Sequence, residues 1–211
     1  MKIVAFNGSP KKDGNTAYAI SLVLNELREK GIETEVVEVG NKKIRGCLSC
    51  GGCAKNRDEK CVISDDDVNL WIQKMKSADG VIFGSPVYYS AMAGTMKAFM
   101  DRAFYVMGVN GGMMRHKVGT AVVAVRRSGG LPTFNQLNNY LNYSEMVIPT
   151  SNYWNVIHGT IPGDAVNDPE GKQIMRVLGR NMAWLMQSLD HSKNQVEKPE
   201  TEGKIYTHFV R

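Results

Sequence analysis

Ile3-Val4-Ala5-Phe6-Asn7-Gly8-Ser9-Pro10-Lys11-Lys12-Asp13-Gly14-Asn15-Thr16 is the stretch on which the reading of this chain turns. The apolar run Ile3 to Phe6 predicts a buried strand. It ends in Gly8, Ser9 and Pro10, which are turn formers. After Gly14 a helical pattern begins, with Ile20, Val23, Leu24 and Leu27 on one face and Asn15 or Thr16 as the expected cap. The unit is therefore strand, polar loop, helix start. Free N–H groups and the positive end of the dipole make a helix start an anion site. Ser9, Asn15 and Thr16 add short side-chain donors there, and Lys11 adds positive charge. We read the loop as a phosphate cradle. Neither a Gly-Lys-Ser/Thr helix start nor G-x-G-x-x-G spacing is present, which excludes the nucleotide P-loop and the dinucleotide fingerprint. Taken alone, the same residues would also serve as an ordinary polar connection.

Working outward, Gly31 stops the first helix, and Glu33 to Val39 alternates as a second strand. Residues 40 to 64 form a long loop that holds all four cysteines. Ser64 is the expected cap of a helix opening with Asp65, Asp66 and Asp67, where the dipole favours acids. Val81 to Phe83 predicts a third strand, apolar on both faces as parallel strands are. Gly84-Ser85-Pro86-Val87-Tyr88-Tyr89-Ser90 is the next strand-to-helix turn, followed by a helix carrying Met92, Met96, Phe99, Met100 and Ala103. Val118 to Val125 is a fourth strand. Arg126-Arg127-Ser128-Gly129-Gly130 and a helix from Pro132 to Tyr143 follow it, and Met146 to Ile148 with Tyr153 to Val156 supplies a fifth strand. Asp168-Pro169-Glu170 opens the last helix. Alternating strands and helices predict a parallel sheet covered on both faces, in the order 2-1-3-4-5. Three unusual loops, 8 to 16, 84 to 91 and 126 to 131, then fall at carboxyl ends of strands, where such sheets bind ligands.

The length, 211 residues, and the apolar fraction, 43%, suit one domain with a full core. We expect a body over residues 1 to 190 and a polar tail over 191 to 211. The formal charge is +5 with both signs mixed, so nucleic-acid binding is not implied, and a modest positive field suits a phosphorylated ligand. No leader or membrane-length apolar run is visible, so we expect a cytoplasmic protein that does not bind membranes. Its cysteines are then reduced thiols or metal ligands. Cys47-x2-Cys50-x2-Cys53-x7-Cys61 admits a [4Fe–4S] cluster, zinc, or free thiols or a labile disulfide. The four histidines show no metal spacing, and His158 is the one expected to border a substrate space. Lys97 and Asp101, four apart, are expected to pair on one helix face, and Arg102 to be structural.

Gly8-Ser9-Pro10-Lys11 with Gly14-Asn15-Thr16, the four cysteines followed by Val62-Ile63 and Asp65-Asp66, Gly84-Ser85-Pro86-Val87-Tyr88, Met96-Lys97-Ala98-Phe99-Met100-Asp101-Arg102 and Leu178-Gly179-Arg180 together resemble the NAD(P)H-dependent FMN reductase and iron–sulfur flavoprotein family, over residues 1 to about 190. The resemblance implies a flavodoxin-like three-layer sandwich that binds FMN. It implies a phosphate site at Ser9, Lys11, Asn15 and Thr16, and a ring site at Pro86, Val87, Tyr88 and Tyr89. It also implies a third contact at Ser128, Gly129 and Gly130, where glycine allows close approach to a flat ring. Arg126 and Arg127 then meet the ribityl chain, the phosphate or an incoming nicotinamide nucleotide, or else remain a solvated pair. NADH or NADPH is the implied donor. A quinone, a flavin, a nitroaromatic or an iron–sulfur partner is the implied acceptor. No protein residue is named as catalytic, since the flavin carries the chemistry. A [4Fe–4S] cluster on Cys47, Cys50, Cys53 and Cys61 fits the iron–sulfur members. The rival reading is a one-electron carrier of the flavodoxin kind; the basic charge favours the reductase. A fold that has lost FMN and acts as a binding module is disfavoured by the intact first loop. We further expect a homodimer or homotetramer, from the apolar, glycine-rich stretch 105 to 115 and the apolar tail Ile205 to Val210.

Overall fold

The computed structural model describes residues 1–207 and Phe209. Strand β1 (Lys2–Asn7) pairs in parallel with β2 (Glu33–Glu38) on one side and β3 (Gly80–Tyr88) on the other. Strand β5 (Val118–Val125) lies beyond β3, and β6 (Val156–His158) beyond β5. The sheet order is thus β2-β1-β3-β5-β6, which is the expected doubly wound order of the five parallel strands. Helices α1 (Asn15–Glu29) and α6 (Pro169–Ser192) cover one face; α3 (Val68–Ser77), α4 (Gly94–Val109) and α5 (Gly130–Tyr143) cover the other. The short α2 (Gly52–Asn56) sits inside the cysteine loop.

The two-residue period of a strand accounts for the three layers. Ile3 and Ala5 of β1 pack with Ile20, Leu24, Leu178 and Met182, while Val4 and Phe6 pack with Phe83, Phe99 and Trp71. Phe99 centres the second core. Its ring lies 5.0 Å from Phe6 and 5.2 Å from Trp71, the latter edge-on, and such pairs add about 0.5–1.5 kcal/mol beyond their burial. Across the other face α1 and α6 approach so closely that a Cβ on Gly179 would stand 2.8 Å from the Val23 carbonyl oxygen. The pair is closed by Arg180 donating to Glu26 at 2.8 Å. Met92, Met96 and Met100 are core residues, as expected.

Four expectations need correction. A sixth strand, β4 (Ala91–Met92), folds back antiparallel on the end of β3, so the next helix opens only at Gly94. The fifth parallel strand is Val156–His158; Val147 contributes only an isolated bridge to Val118, because Pro149 has no N–H to extend a ladder. Helix α3 opens at Val68 without a side-chain cap: Asp66 accepts from the Val68 N–H but is also held by Arg102, so tertiary pairing fixes it outside the helix. Finally, the stretch 105 to 115 packs in part on its own chain. Helix α4 runs on to Val109, and Val106, Met107 and Met114 are buried in their own chain's core. In the tail, Ile205, Tyr206 and Phe209 are exposed, and His208 and Val210 lie outside the described residues. No helix among the described residues is long and apolar enough to cross a membrane.

Candidate functional site at the carboxyl edge of the sheet

The first loop is built from the end of β1. Asn7 is fully buried; its Oδ1 accepts from the Ser9 N–H at 3.1 Å and its Nδ2 donates to Glu38 at 2.8 Å. Burial pushes the Glu38 carboxyl above its ordinary range, against the opposing bond from Asn7. Ser9 is buried, and its Oγ accepts from the Lys11 N–H at 3.2 Å, closing a turn of the side-chain-to-backbone kind. Gly40, just past β2, lies against this turn: a Cβ there would meet the Ser9 backbone carbon at 2.2 Å. Only glycine permits that approach.

Helix α1 begins directly after the turn, with Gly14 at its cap, no side-chain cap bond and no acid in its first turn. By contrast, α6 is capped by Asp168, which accepts from the Gly171 N–H at 2.9 Å and from the His158 N–H at 2.7 Å. The first N–H groups of α1 therefore keep their capacity for an anion. Thr16 is buried in the first turn of α1. Lys11 is exposed at the rim. Asn15, beside it, is anchored by its side chain. Its Nδ2 donates to the Ile161 carbonyl at 3.0 Å and its Oδ1 accepts from the Ala165 N–H at 3.2 Å. Asn15 thus ties α1 to the loop after β6.

The second loop is a hairpin. Tyr89 (φ +50°) and Ser90 (φ +60°) are both left-handed, between paired residues Tyr88 and Ala91. That is a type I′ turn, normally built from Asn and Gly. Ser85 holds its base: fully buried, it accepts from the Ala93 N–H at 2.9 Å and donates to the Pro86 carbonyl at 2.8 Å. Pro86 and Val87 are half-buried, while Tyr88 and Tyr89 are exposed, Tyr89 completely. The third loop lies on this hairpin. Gly129 (φ +88°) is so close that a Cβ would meet Ser90 Oγ at 2.8 Å, and Gly130 opens α5 against Val156. Ser128, Arg126 and Arg127 are exposed. His158 points to the cap of α6, with Nδ1 3.3 Å from Asp168.

The four cysteines also line one pocket, together with Leu48, Val62, Arg102 and Tyr105. All are free thiols. Asn69 backs Cys61 from both sides, accepting from its N–H at 2.8 Å and donating to its carbonyl at 2.9 Å. Cys53 sits in α2; burial, with Cys47 and Cys61 nearby, pushes its thiol up. No three His, Cys, Asp or Glu side chains among the described residues converge on one point that would hold a single ion. A four-iron cluster, with each thiolate on its own iron, asks only that the sulfurs surround a shared space. Sequence reading missed Gly40, Asn7, Ser85 and Asn69; a glycine directly after a strand at the ligand edge was the one available signal, at Gly40.

These features define a doubly wound α/β protein with an uncapped helix start at its switch point. The chain belongs to the NADPH-dependent FMN reductase family, which it matches over residues 1–160. It is 37% identical over 190 residues to an iron–sulfur flavoprotein of Methanocaldococcus jannaschii, covering 87% of this chain and 96% of that protein. Among solved structures, RosB with a bound riboflavin-5'-phosphate derivative superposes with a TM-score of 0.70 at 13% identity, covering 100% of this chain and 94% of that one. A flavodoxin from the domain Archaea superposes at 0.60 with 16% identity, covering 89% and 99%. At these identities the two structures speak to the fold, which is flavodoxin-like.

The hairpin carries a test of its own. Replacing Tyr89-Ser90 by Asn-Gly should raise stability by roughly 1–2 kcal/mol, since two side chains leave the left-handed region. Urea unfolding at constant slope measures it; an unchanged midpoint would mean that the turn is not strained.

Proposed function

We propose that this protein is an FMN-dependent oxidoreductase that draws hydride from NADH or NADPH and passes electrons onward through a [4Fe–4S] cluster on Cys47, Cys50, Cys53 and Cys61. The observation that carries the reading is the uncapped, acid-free start of α1 at the switch point, with the buried Thr16 in its first turn. The final acceptor is a quinone, a flavin, a nitroaromatic or an iron–sulfur protein. Bound FMN supplies the hydride-accepting and electron-splitting chemistry. Thr16, Ser9 and the first N–H groups of α1 would hold its phosphate, with Lys11 adding charge from the rim. Val87, Tyr88 and the Gly129-Gly130 backbone would flank the ring, and Tyr89 would cover it from the hairpin tip. Arg126 and Arg127 extend the positive rim toward a dinucleotide phosphate. Four cysteines around one pocket support the cluster, and the reducing cytoplasm is the compartment that suits exposed thiols. Self-association as a dimer or tetramer belongs to the same reading, supported by the exposed Tyr88 and Tyr89 at the site's rim.

Thr16→Ala should weaken FMN binding about 10- to 150-fold, the equivalent of roughly 1.5–3 kcal/mol for a hydrogen bond to a charged group, and leave the fold intact. Asn15→Ala should instead cost about 1–3 kcal/mol of stability by orphaning the Ile161 and Ala165 backbone groups, with a smaller effect on FMN. Fluorescence titration and urea unfolding separate the two; equal FMN affinity in Thr16→Ala and wild type would remove the phosphate assignment. In stopped flow, NADH or NADPH should bleach the bound flavin with saturating rates. Reduction by neither nucleotide would hand the reading to a one-electron carrier. Light scattering at micromolar concentration should show a mass of at least two chains, and a monomer with full activity would rule out a shared site.

A further inference from the structure

Arg102 lies in α4 with a completely buried side chain. A guanidinium has five N–H donors in a rigid fork. Four are spoken for. Nη1 donates to the Arg45 carbonyl at 3.2 Å and to Asp66, and Nη2 donates to the Ile63 carbonyl at 3.0 Å and to Asp66 at 3.1 Å. Arg45 and Ile63 bracket the loop from Cys47 to Cys61, so one side chain pins both ends of it. The fifth donor, Nε–H, is buried and has no partner among the described residues. Such a group costs free energy unless something accepts from it. The other two unpartnered buried atoms, Asn138 Oδ1 and Asn155 Oδ1, belong to residues away from the cysteine pocket; Arg102 lines that pocket with all four thiols. An acceptor suited to this donor, in a pocket walled by cysteines, is anionic sulfur.

We propose that Arg102 donates its Nε–H to a sulfur atom of the cluster held by Cys47, Cys50, Cys53 and Cys61, and thereby raises the cluster's reduction potential. The inference rests on the iron–sulfur part of the proposed function. The physical reason is simple. Reduction adds one electron and hence one negative charge to the cluster, and a charged hydrogen-bond donor in a water-poor pocket stabilises the more negative state. The neighbouring groups are accounted for. Asp66 offsets the full charge of Arg102, Asn69 fixes the Cys61 backbone without reaching its sulfur, and Arg57, across the loop, is spent on the carbonyls of Ala54 and Val109. Arg102 is therefore a positioning residue that both closes the loop and faces its contents.

The test uses the full chain purified without oxygen, carrying its flavin, with iron and sulfide assayed first. A redox titration followed by electron paramagnetic resonance gives the cluster potential. Arg102→Lys keeps the charge and loses the Nε–H; Arg102→Gln loses both. The expected order of potentials is wild type above Lys above Gln. Asp66→Asn, which loosens the same clamp but keeps the Nε–H, should not lower the potential; a merely structural role for Arg102 would make all three variants fall together. A full iron complement with an unchanged potential in Arg102→Lys overturns the assignment. Should the Arg102 variants fail to fold or to retain iron, the wild type decides. With arginine labelled at Nε by 15N, one Nε–H signal should be shifted by the cluster and return on chelation of iron, and absence of any such signal overturns the proposal. Wild-type protein without iron and sulfide would instead overturn the cluster itself, which separates the two failures.

Discussion

The Gly8 N–H donates to the Gly84 carbonyl at 2.8 Å, and the candidate site depends on that bond. It joins the loop after β1 to the end of β3 at the level where the two strands part. No side chain can stand between them: a Cβ on Gly8 would lie 2.9 Å from that carbonyl, and one on Gly84 would lie 2.6 Å from Ile20. Because Ile20 is in α1, the same contact sets the height of the helix start. Gly40 then presses on Ser9 from the β2 side and Gly129 presses on Ser90 from the β5 side. The four loops are located by backbone meeting backbone, which leaves their side chains free for a ligand.

That mode of assembly explains what could be read from the sequence. The order of the five parallel strands, the covering of both faces and the loop from Gly8 to Thr16 all follow from local pattern: apolar runs, their spacing, and glycines at their ends. The methionines at 96 and 100 and the Lys97–Asp101 pair were legible for the same reason, since helical spacing alone brings them into place. What was not legible depended on a partner far along the chain. The tie of the Asn15 amide to Ile161 and Ala165, nearly 150 residues on, could not be read from the local pattern. Asp66 has the look of a dipole-matching acid until Arg102 claims it. The hairpin at Tyr89-Ser90 escaped because its residues are wrong for its turn type; the pairing of Val87 with Met92 and the Ser85 hydroxyl hold it in place regardless. The apolar stretch around Met107 and Met114 looked like surface to be covered by another chain, and it turned out to be the underside of its own core.

The buried pair of Arg102 and Asp66 raises the question of why a charged group stands there at all. Burial disfavours the guanidinium charge; Asp66, and then Cys61, more than offset that and hold its pKa up. Yet a buried ion pair is weak evidence for stability, because apolar residues of similar volume often do as well or better. Stability alone would therefore not select this arrangement at a site surrounded by Val106, Tyr105 and Val62. What an apolar side chain cannot do is bind two carbonyls eighteen residues apart, those of Arg45 and Ile63, at 3.2 and 3.0 Å. The loop between them contains three left-handed residues that are not glycine, Ser49, Arg57 and Glu59, each of which loosens it unless it is held at both ends. Lys76 adds a second tether by gripping Glu59 at 2.6 Å. One side chain thus holds both ends of a loop whose four cysteines line a pocket that Arg102 also lines, and it keeps one buried donor, Nε–H, without a partner among the described residues.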